Sequence, residues 1–501
     1  MTTPIKPTSK ILIVGSGVFG ISTALWLARA GYADVTVLDM QDTASAAYDP
    51  GAGIDSASAD LNKIIRFSYG TEIEYQRLAT EAAGLWEEWN RDIASVAADA
   101  DTAADTPERK ALLSTLLRGD GDGGDESKLK LWWNVGMLRM SCKEEFGSFE
   151  METLENMEKE GIRDYQFRSD DEQDLARAKE RGWAHKLDPC QRQERFGVHK
   201  AVLDSTAGFV AAYKSCAWAQ YLAKKAGVKT LLDPVRGKVV DITSKDNHPV
   251  AVTADGVEHV ADLIVVAGGG WTPSLLPEVK DLLETTAGSV ATIQLPKERT
   301  DLWERFAPEN HPVITWGMRQ EKEVYSFPRD ENGVIKVGWR KTKWTNFKDV
   351  HGGHRLSVPK TAHVTEEKED RIPAQAMEGI KEYITLNFPE LVSLGIASTK
   401  LCWYTDSIDN SFVVDFVPGR PGVAVCSGGS GHGFKFLPIL GREVVKILEG
   451  KGPNTVYGQM WKWRAGEPLK ERNGLEEGEG GPRVLSKQTM VGTADWDATA
   501  A

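Results

Sequence analysis

An α/β fold with a parallel sheet at its centre is what this sequence predicts, and three observations predict it. Residues 10–14 form a short apolar run that enters Gly15-Ser16-Gly17-Val18-Phe19-Gly20 and then an apolar helical stretch, 21–30, closed by Gly31. Residues 34–39 form a second strand-like run, ending in the acid Asp39, which completes a β-turn-α-β unit of about 30 residues. Far downstream, the buried-type strand 263–267 runs into a second glycine turn, Gly268-Gly269-Gly270.

The remaining elements follow in order. Residues 72–90 read as a helix with Leu78, Ala82 and Trp86 on one face, and residues 212–225 as a helix with Trp218 and Leu222 inward. Strand-like runs occur at 235–242, 250–253, 290–294, 324–327, 334–339 and 423–426, with a helix expected over 437–448. Residues 97–127 are Ala/Asp-rich and then Gly/Asp-rich, an exposed acidic insertion by composition. Residues 451–501 are polar and weakly periodic, a wrapping tail. No internal repeat is visible.

Composition narrows the function classes. A chain of 501 residues suggests about three domains or two large ones. Sixty basic against 73 acidic side chains give a net charge of −13, which disfavours nucleic acid as a partner. Five scattered cysteines (142, 190, 216, 402 and 426) without a CxxC pair support neither a disulfide framework nor a structural metal site. The charge-free run 11–28 mimics a membrane anchor, but Gly15, Gly17 and Gly20 interrupt it at a spacing with a better explanation, so no membrane association is expected. A reduced, cytoplasmic location is expected. The ending Thr499-Ala500-Ala501 is not a peroxisomal Ser-Lys-Leu signal.

The better explanation is a Rossmann-type dinucleotide site. Gly15 permits the tight turn, Gly17 lets the backbone approach a pyrophosphate, Gly20 allows close helix–strand packing, and the helix N-terminus faces the anion. Asp39 suits a ribose diol and disfavours a 2′-phosphate. FAD and NAD share this fingerprint. A third glycine turn, Gly428-Gly429-Ser430-Gly431-His432-Gly433, joins the other two, and turns spread so widely suit an elongated, permanently held flavin. FAD is therefore favoured, with an NAD-dependent dehydrogenase as the reading from a different class.

At this point the sequence resembles the sarcosine oxidase family of FAD-dependent amine oxidases, which includes fructosyl amino acid oxidases (amadoriases), pipecolate oxidases and saccharopine oxidases. GSGVFG at 15–20, DLNKIIR at 60–66, Lys336 within GVIKVG, CWYT at 402–405 and GSGHGFK at 429–435 carry the resemblance, in family order over about residues 10–450. It implies a discontinuous FAD domain (1–90, 190–270 and 400–450), an α+β substrate domain with an antiparallel sheet (91–189 and 271–399), and a tail beyond 451 like that of the amadoriase branch.

The resemblance also implies site roles. Cys402 sits where the family attaches flavin through an 8α-methyl thioether. Arg66 and Lys435 match a pair that grips the substrate carboxylate, a fork beside a point charge. Lys63 matches the basic residue next to the flavin, and Tyr325 an active-site tyrosine. Lys336 matches the lysine on the flavin face away from the substrate, where a fixed cation stabilises superoxide as it forms. His432 is expected to bond flavin or carboxylate. Gly15, Gly17, Val18, Phe19, Gly20, Asp39, Val235, Gly268, Gly431, Gly433 and Phe434 complete the expected cofactor contacts. Arg340 stands where bacterial sarcosine oxidases carry histidine, which points away from small sarcosine and toward a larger or more anionic substrate.

The implied reaction is oxidation of the C–N bond of a secondary amine or N-substituted amino acid. Hydride passes to flavin N5, an imine forms, and O2 is reduced to hydrogen peroxide. The alternatives within the class are deglycation of fructosyl amino acids, and an alkaloid-pathway oxidation of an N-methyl group captured by ring closure. The partners expected are a small amine and O2, with the chain a monomer or weak oligomer and no metal.

Overall fold

The computed structural model describes residues 4–44, 48–49, 51, 56–98, 106–117, 129–361, 369–467 and 477–497. Strand β1 (Lys10–Val14), helix α1 (Val18–Arg29) and strand β2 (Asp34–Asp39) form the expected opening unit. β1 lies inside a six-stranded sheet, pairing in parallel with β2 on one side (Ile13↔Val37) and with Leu263–Val266 on the other (Ile13↔Val265). Val423–Ser427 extends the sheet beyond Leu263–Val266, and Val413–Phe416 closes that edge antiparallel. Flanked on both faces, the central strands read as continuous apolar runs, and Ile11 and Ile13 are fully buried.

A second sheet of eight strands is mostly antiparallel. Its order is Ser398–Ser407, Leu283–Gln294, Val334–Trp344, Val324–Ser326, Val313–Trp316, Met137–Met140, Ala201–Asp204 and Gln166–Arg168. A small third sheet pairs Asn62–Ile65 with Gly208–Ala211, and Gly208–Ala211 with Trp132–Trp133. Two expected boundaries shift as a result. Residues 201–204 and 400–407, expected in the FAD domain, are hydrogen-bonded into the eight-stranded sheet, so Cys402 is carried by that sheet.

Three local expectations are corrected. The strand expected from Val235 starts at Val239, because Asp233 closes a turn by accepting the Val235 and Arg236 N–H groups. The helix expected from 437 starts at Leu440, because Ile439, at φ −121 and ψ −24, leaves helical geometry and stands as its N-cap. Within the acidic insertion, Pro107–Leu116 is a helix: Thr106 caps it, Pro107 starts it, and Leu112 and Leu116 are buried. Residues 99–105 and the Gly/Asp run at 118–128 lie outside the described residues.

The tail is pinned by tryptophans. Trp461, on the Thr455-capped helix Val456–Trp461, is fully buried and donates from Nε1 to Tyr75 Oη at 3.0 Å. Met490–Val491 pairs with Ile372–Pro373, and Trp496 is buried beyond it. Residues 468–476 and 498–501 of the expected tail lie outside the described residues. Trp461→Ala should lower stability by about 3–5 kcal/mol, read as a denaturation midpoint; an unchanged midpoint would mean the tail is dispensable to the core.

Candidate active site

One cavity of about 1080 Å³ opens at the carboxyl ends of β1 and β2 and reaches the face of the eight-stranded sheet. At its first end stands the N-terminus of α1. No side chain caps this helix, so its first-turn donors face the cavity, apart from the Val18 N–H, which Ser58 Oγ accepts at 3.1 Å. Gly15 has φ +108, and a Cβ there would meet the Ala267 carbonyl oxygen at 2.4 Å; a Cβ on Gly20 would meet the Gly15 carbonyl oxygen at 1.9 Å. The turn is thus closed to any other residue at both positions. Asp39 lines this end and accepts from Ser16 N at 2.6 Å and Gln41 N at 2.8 Å. Burial nevertheless raises its carboxyl above the usual range.

Gly268, Gly431, Gly433 and Phe434 also line the cavity, and the Phe19 ring fills the space a Cβ on Gly433 would take, at 2.8 Å. Val235 does not belong here. Its side chain is half exposed, and the cavity wall from that segment is made by Pro234, Gly237 and Val239.

The middle of the cavity is organised by a residue to which the motif alone assigned no role. Asp60 is buried just before Asn62–Ile65, and Lys336 Nζ donates to it at 2.9 Å and to the Asn62 carbonyl at 2.6 Å. Lys63 pairs with the same carboxylate, and Lys400 stands 3.7 Å from its other oxygen. Burial alone would raise the Asp60 carboxyl, but the three ammoniums outweigh it and hold it well below the usual range. Burial pulls Lys336 down to about 8, opposed by Asp60, whereas at Lys63 the same carboxylate more than offsets burial and raises the ammonium. Lys336 faces the cavity while Ile335 and Val337 enter the core, as strand alternation requires.

Cys402 is buried on the cavity wall with its Sγ 3.7 Å from Lys63 Nζ. Cys426 also reaches the wall, but burial pushes its thiol up to about 12 and its thiol partner is the Thr23 hydroxyl at 3.9 Å. Tyr325 lies across its strand partner Gly338, where a Cβ would meet the ring at 2.1 Å.

At the other end, Arg66 and Lys435 share one platform, Tyr69. The Arg66 guanidinium stacks over its ring at 4.5 Å and donates to the Ser68 carbonyl. Lys435 Nζ lies 4.9 Å from the ring centroid and donates to Tyr69 Oη at 2.8 Å. Tyr69 Oη in turn meets His432 Nδ1 at 3.1 Å, and His432 Nε2 meets the Asn410 carbonyl at 2.9 Å. A carbonyl only accepts, so the imidazole proton sits on Nε2 and Nδ1 accepts from Tyr69. Both ring nitrogens are therefore committed to protein, which corrects the expectation that His432 bonds flavin or carboxylate: it positions Tyr69. Burial, with Lys435 close by, keeps the ring neutral. Burial and the guanidiniums of Arg66 and Arg340 likewise hold the Lys435 ammonium well below its ordinary range. Tyr69 was missed by sequence reasoning; its only local signal is its place three residues after Arg66.

The glycine turn at a helix N-terminus, a half-buried acid at the end of β2 and a cavity large enough for an extended ligand fit a dinucleotide cofactor. Comparisons with known proteins agree. The chain is 25% identical to the L-saccharopine oxidase of Schizosaccharomyces pombe over 92% of this chain and 94% of that one. It is 28% identical to the N-methyl-L-tryptophan oxidase of Salmonella typhi over 46% of this chain and 55% of that one. Among solved structures, a modified fructosyl peptide oxidase from Aspergillus nidulans superposes with a TM-score of 0.71 at 26% identity, covering 97% of this chain and 99% of that one. The model of the family described as FAD dependent oxidoreductase matches residues 10–115 and 132–447, so the flavin reading replaces the nicotinamide alternative and the chain belongs to the FAD-dependent oxidoreductases.

Proposed function

We propose that this protein oxidises the C–N bond of an N-substituted amino acid, with O2 as the final electron acceptor. The observation that carries the reading is the presence of two cation sites of opposite character in one cavity. Arg66 and Lys435 converge on Tyr69 and form no ion pair among the described residues, as a receptor for a substrate carboxylate should. Lys336 is charge-balanced by Asp60 and held rigid. The relatives named above act, by their names, on saccharopine and N-methyl-L-tryptophan, both N-substituted amino acids.

Bound FAD supplies the two-electron acceptor for the substrate and the route of electrons to oxygen. The chain's own residues do the rest. Arg66 and Lys435 anchor the carboxylate and so fix the carbon next to nitrogen. Their positive field also favours the neutral amine, the form able to release hydride. No side chain serves as a dedicated base, since the histidine in the site is already committed to Tyr69 and Asn410. Lys336 stabilises negative charge developing on dioxygen.

Cys402 is the proposed point of covalent attachment. Its sulfur lines the cavity 3.7 Å from the Lys63 ammonium, and Cys426 lacks such a neighbour. A cytoplasmic location and a monomeric or weakly associated state go with this reading; among the described residues no helix is long and apolar enough to cross a membrane.

Cys402→Ala should leave the flavin in the supernatant after acid precipitation, where the unaltered protein should keep it in the pellet; colour in neither pellet would end the covalent assignment. Lys336→Met should slow reoxidation by O2 about 10²-fold or more while leaving anaerobic reduction nearly unchanged in stopped flow. Because the Lys336 ammonium loses its proton near pH 8, the O2 reaction should fall as pH rises through that value. A rate constant flat to pH 10 would count against the role. Peroxide release from a panel of saccharopine, pipecolate, N-methyl-tryptophan, sarcosine and fructosyl amino acids tests the reaction class, and silence across the panel would refute it.

A further inference from the structure

The carboxylate receptor does not exhaust the positive charge in the cavity. Arg340, two residues beyond Gly338, faces the cavity on the same side of the strand as Lys336. Its guanidinium rests against Gly431, where an added Cβ would meet Nη2 at 2.8 Å. Arg319 stands at the exposed rim, its guanidinium 3.9 Å above the Phe149 ring. Neither forms an ion pair among the described residues, whereas Arg139, another guanidinium on the wall, is held by Glu150 at 2.7 Å.

Three acids act on these cations: Glu72 on Arg66 and Lys435, and Asp406 and Glu323 on Arg340. Asp406, which acts on Arg340, is paired with Lys343 at 2.7 Å and accepts from Thr286. Glu323 acts on both arginines without an ion pair, and Glu152 is exposed on the wall. The four cations line one cavity: Arg66 and Lys435 on Tyr69, Arg340 against Gly431, and Arg319 at the exposed rim. Guanidiniums cannot shed their protons, so gathering three of them is costly until anions arrive. One α-carboxylate on Arg66 and Lys435 leaves the outer two guanidiniums without an ion pair among the described residues.

We infer that the substrate carries a second carboxylate, on its N-substituent or side chain, and that Arg319 and Arg340 form the subsite that receives it. Lys435 and Arg66 hold the α-carboxylate at depth, and the outer pair selects for a dicarboxylic amine and against a neutral one. Arg319 acts on the inner cluster only through its charge on Arg66, so its part is first of all specificity.

This inference rests on the carboxylate receptor proposed above, and one titration separates the two. The flavin absorbance of the holoenzyme is followed while butyrate, succinate, glutarate or adipate is added. At least one diacid should bind ten times or more tighter than butyrate, the gain of one charge-assisted contact. Arg319→Gln should abolish that preference with a much smaller change in the butyrate Kd than in the diacid Kd, and Arg319→Lys should keep part of it. Because Arg319 is exposed, neither variant threatens folding. Diacids that bind no better than butyrate, or an Arg319→Gln effect equal on both acid classes, would overturn the subsite and leave the receptor standing. Absence of binding by every acid would overturn the receptor and the subsite together.

Discussion

The arrangement of the site depends on one buried carboxylate. Asp60 stands at the entrance of the small sheet that carries Lys63 and Arg66, while Lys336 and Lys400, which reach back to it, belong to the eight-stranded sheet. A buried charge must be paired, and removing one partner of such a group typically costs about 3–5 kcal/mol. Asp60 therefore ties the two sheets together at the point where they wall the cavity. Its backbone continues the tie: the Asp60 and Leu61 carbonyls accept from Tyr213 and Ala212 at the start of the helix Ala212–Lys225.

That pairing also divides the cavity electrically. Around Asp60 the positive charge is compensated, so Lys336 and Lys63 are held in place and lie beside Cys402. Around Tyr69 the positive charge is left open, and aromatic faces rather than carboxylates support Arg66 and Lys435. A compensated cation is suited to a transient charge that develops in place; an uncompensated one is suited to a ligand that brings its own anion. The same chemistry, cationic nitrogen, is thus set to two tasks by what surrounds it.

Much of this was legible in the chain. The glycine turn, Asp39 and the β1–α1–β2 unit come from contiguous residues, and the structure keeps their bounds within three residues. Alternation within a single strand sets Lys336 on the face opposite Ile335 and Val337; its place beside a flavin was implied only by the resemblance. Where the reading went wrong, a local competitor decided. Asp233 turned the chain before Val239, a non-helical Ile439 delayed a helix, and Thr106 with Pro107 started a helix in a segment whose composition argued for an exposed insertion.

The sequence by itself determined which residues could bind a dinucleotide and which cations and thiols were available, because those properties belong to side chains and to spacing over a few residues. Only the tertiary structure decided how those groups are spent. Lys336 meets Asp60 across 276 residues and Tyr69 meets His432 across 363, separations at which no periodicity carries information. Whether a lysine is neutralised or a histidine is occupied depends on distance and burial, since charge interactions gain strength only where water is excluded. Folding sets both quantities; composition and local order do not.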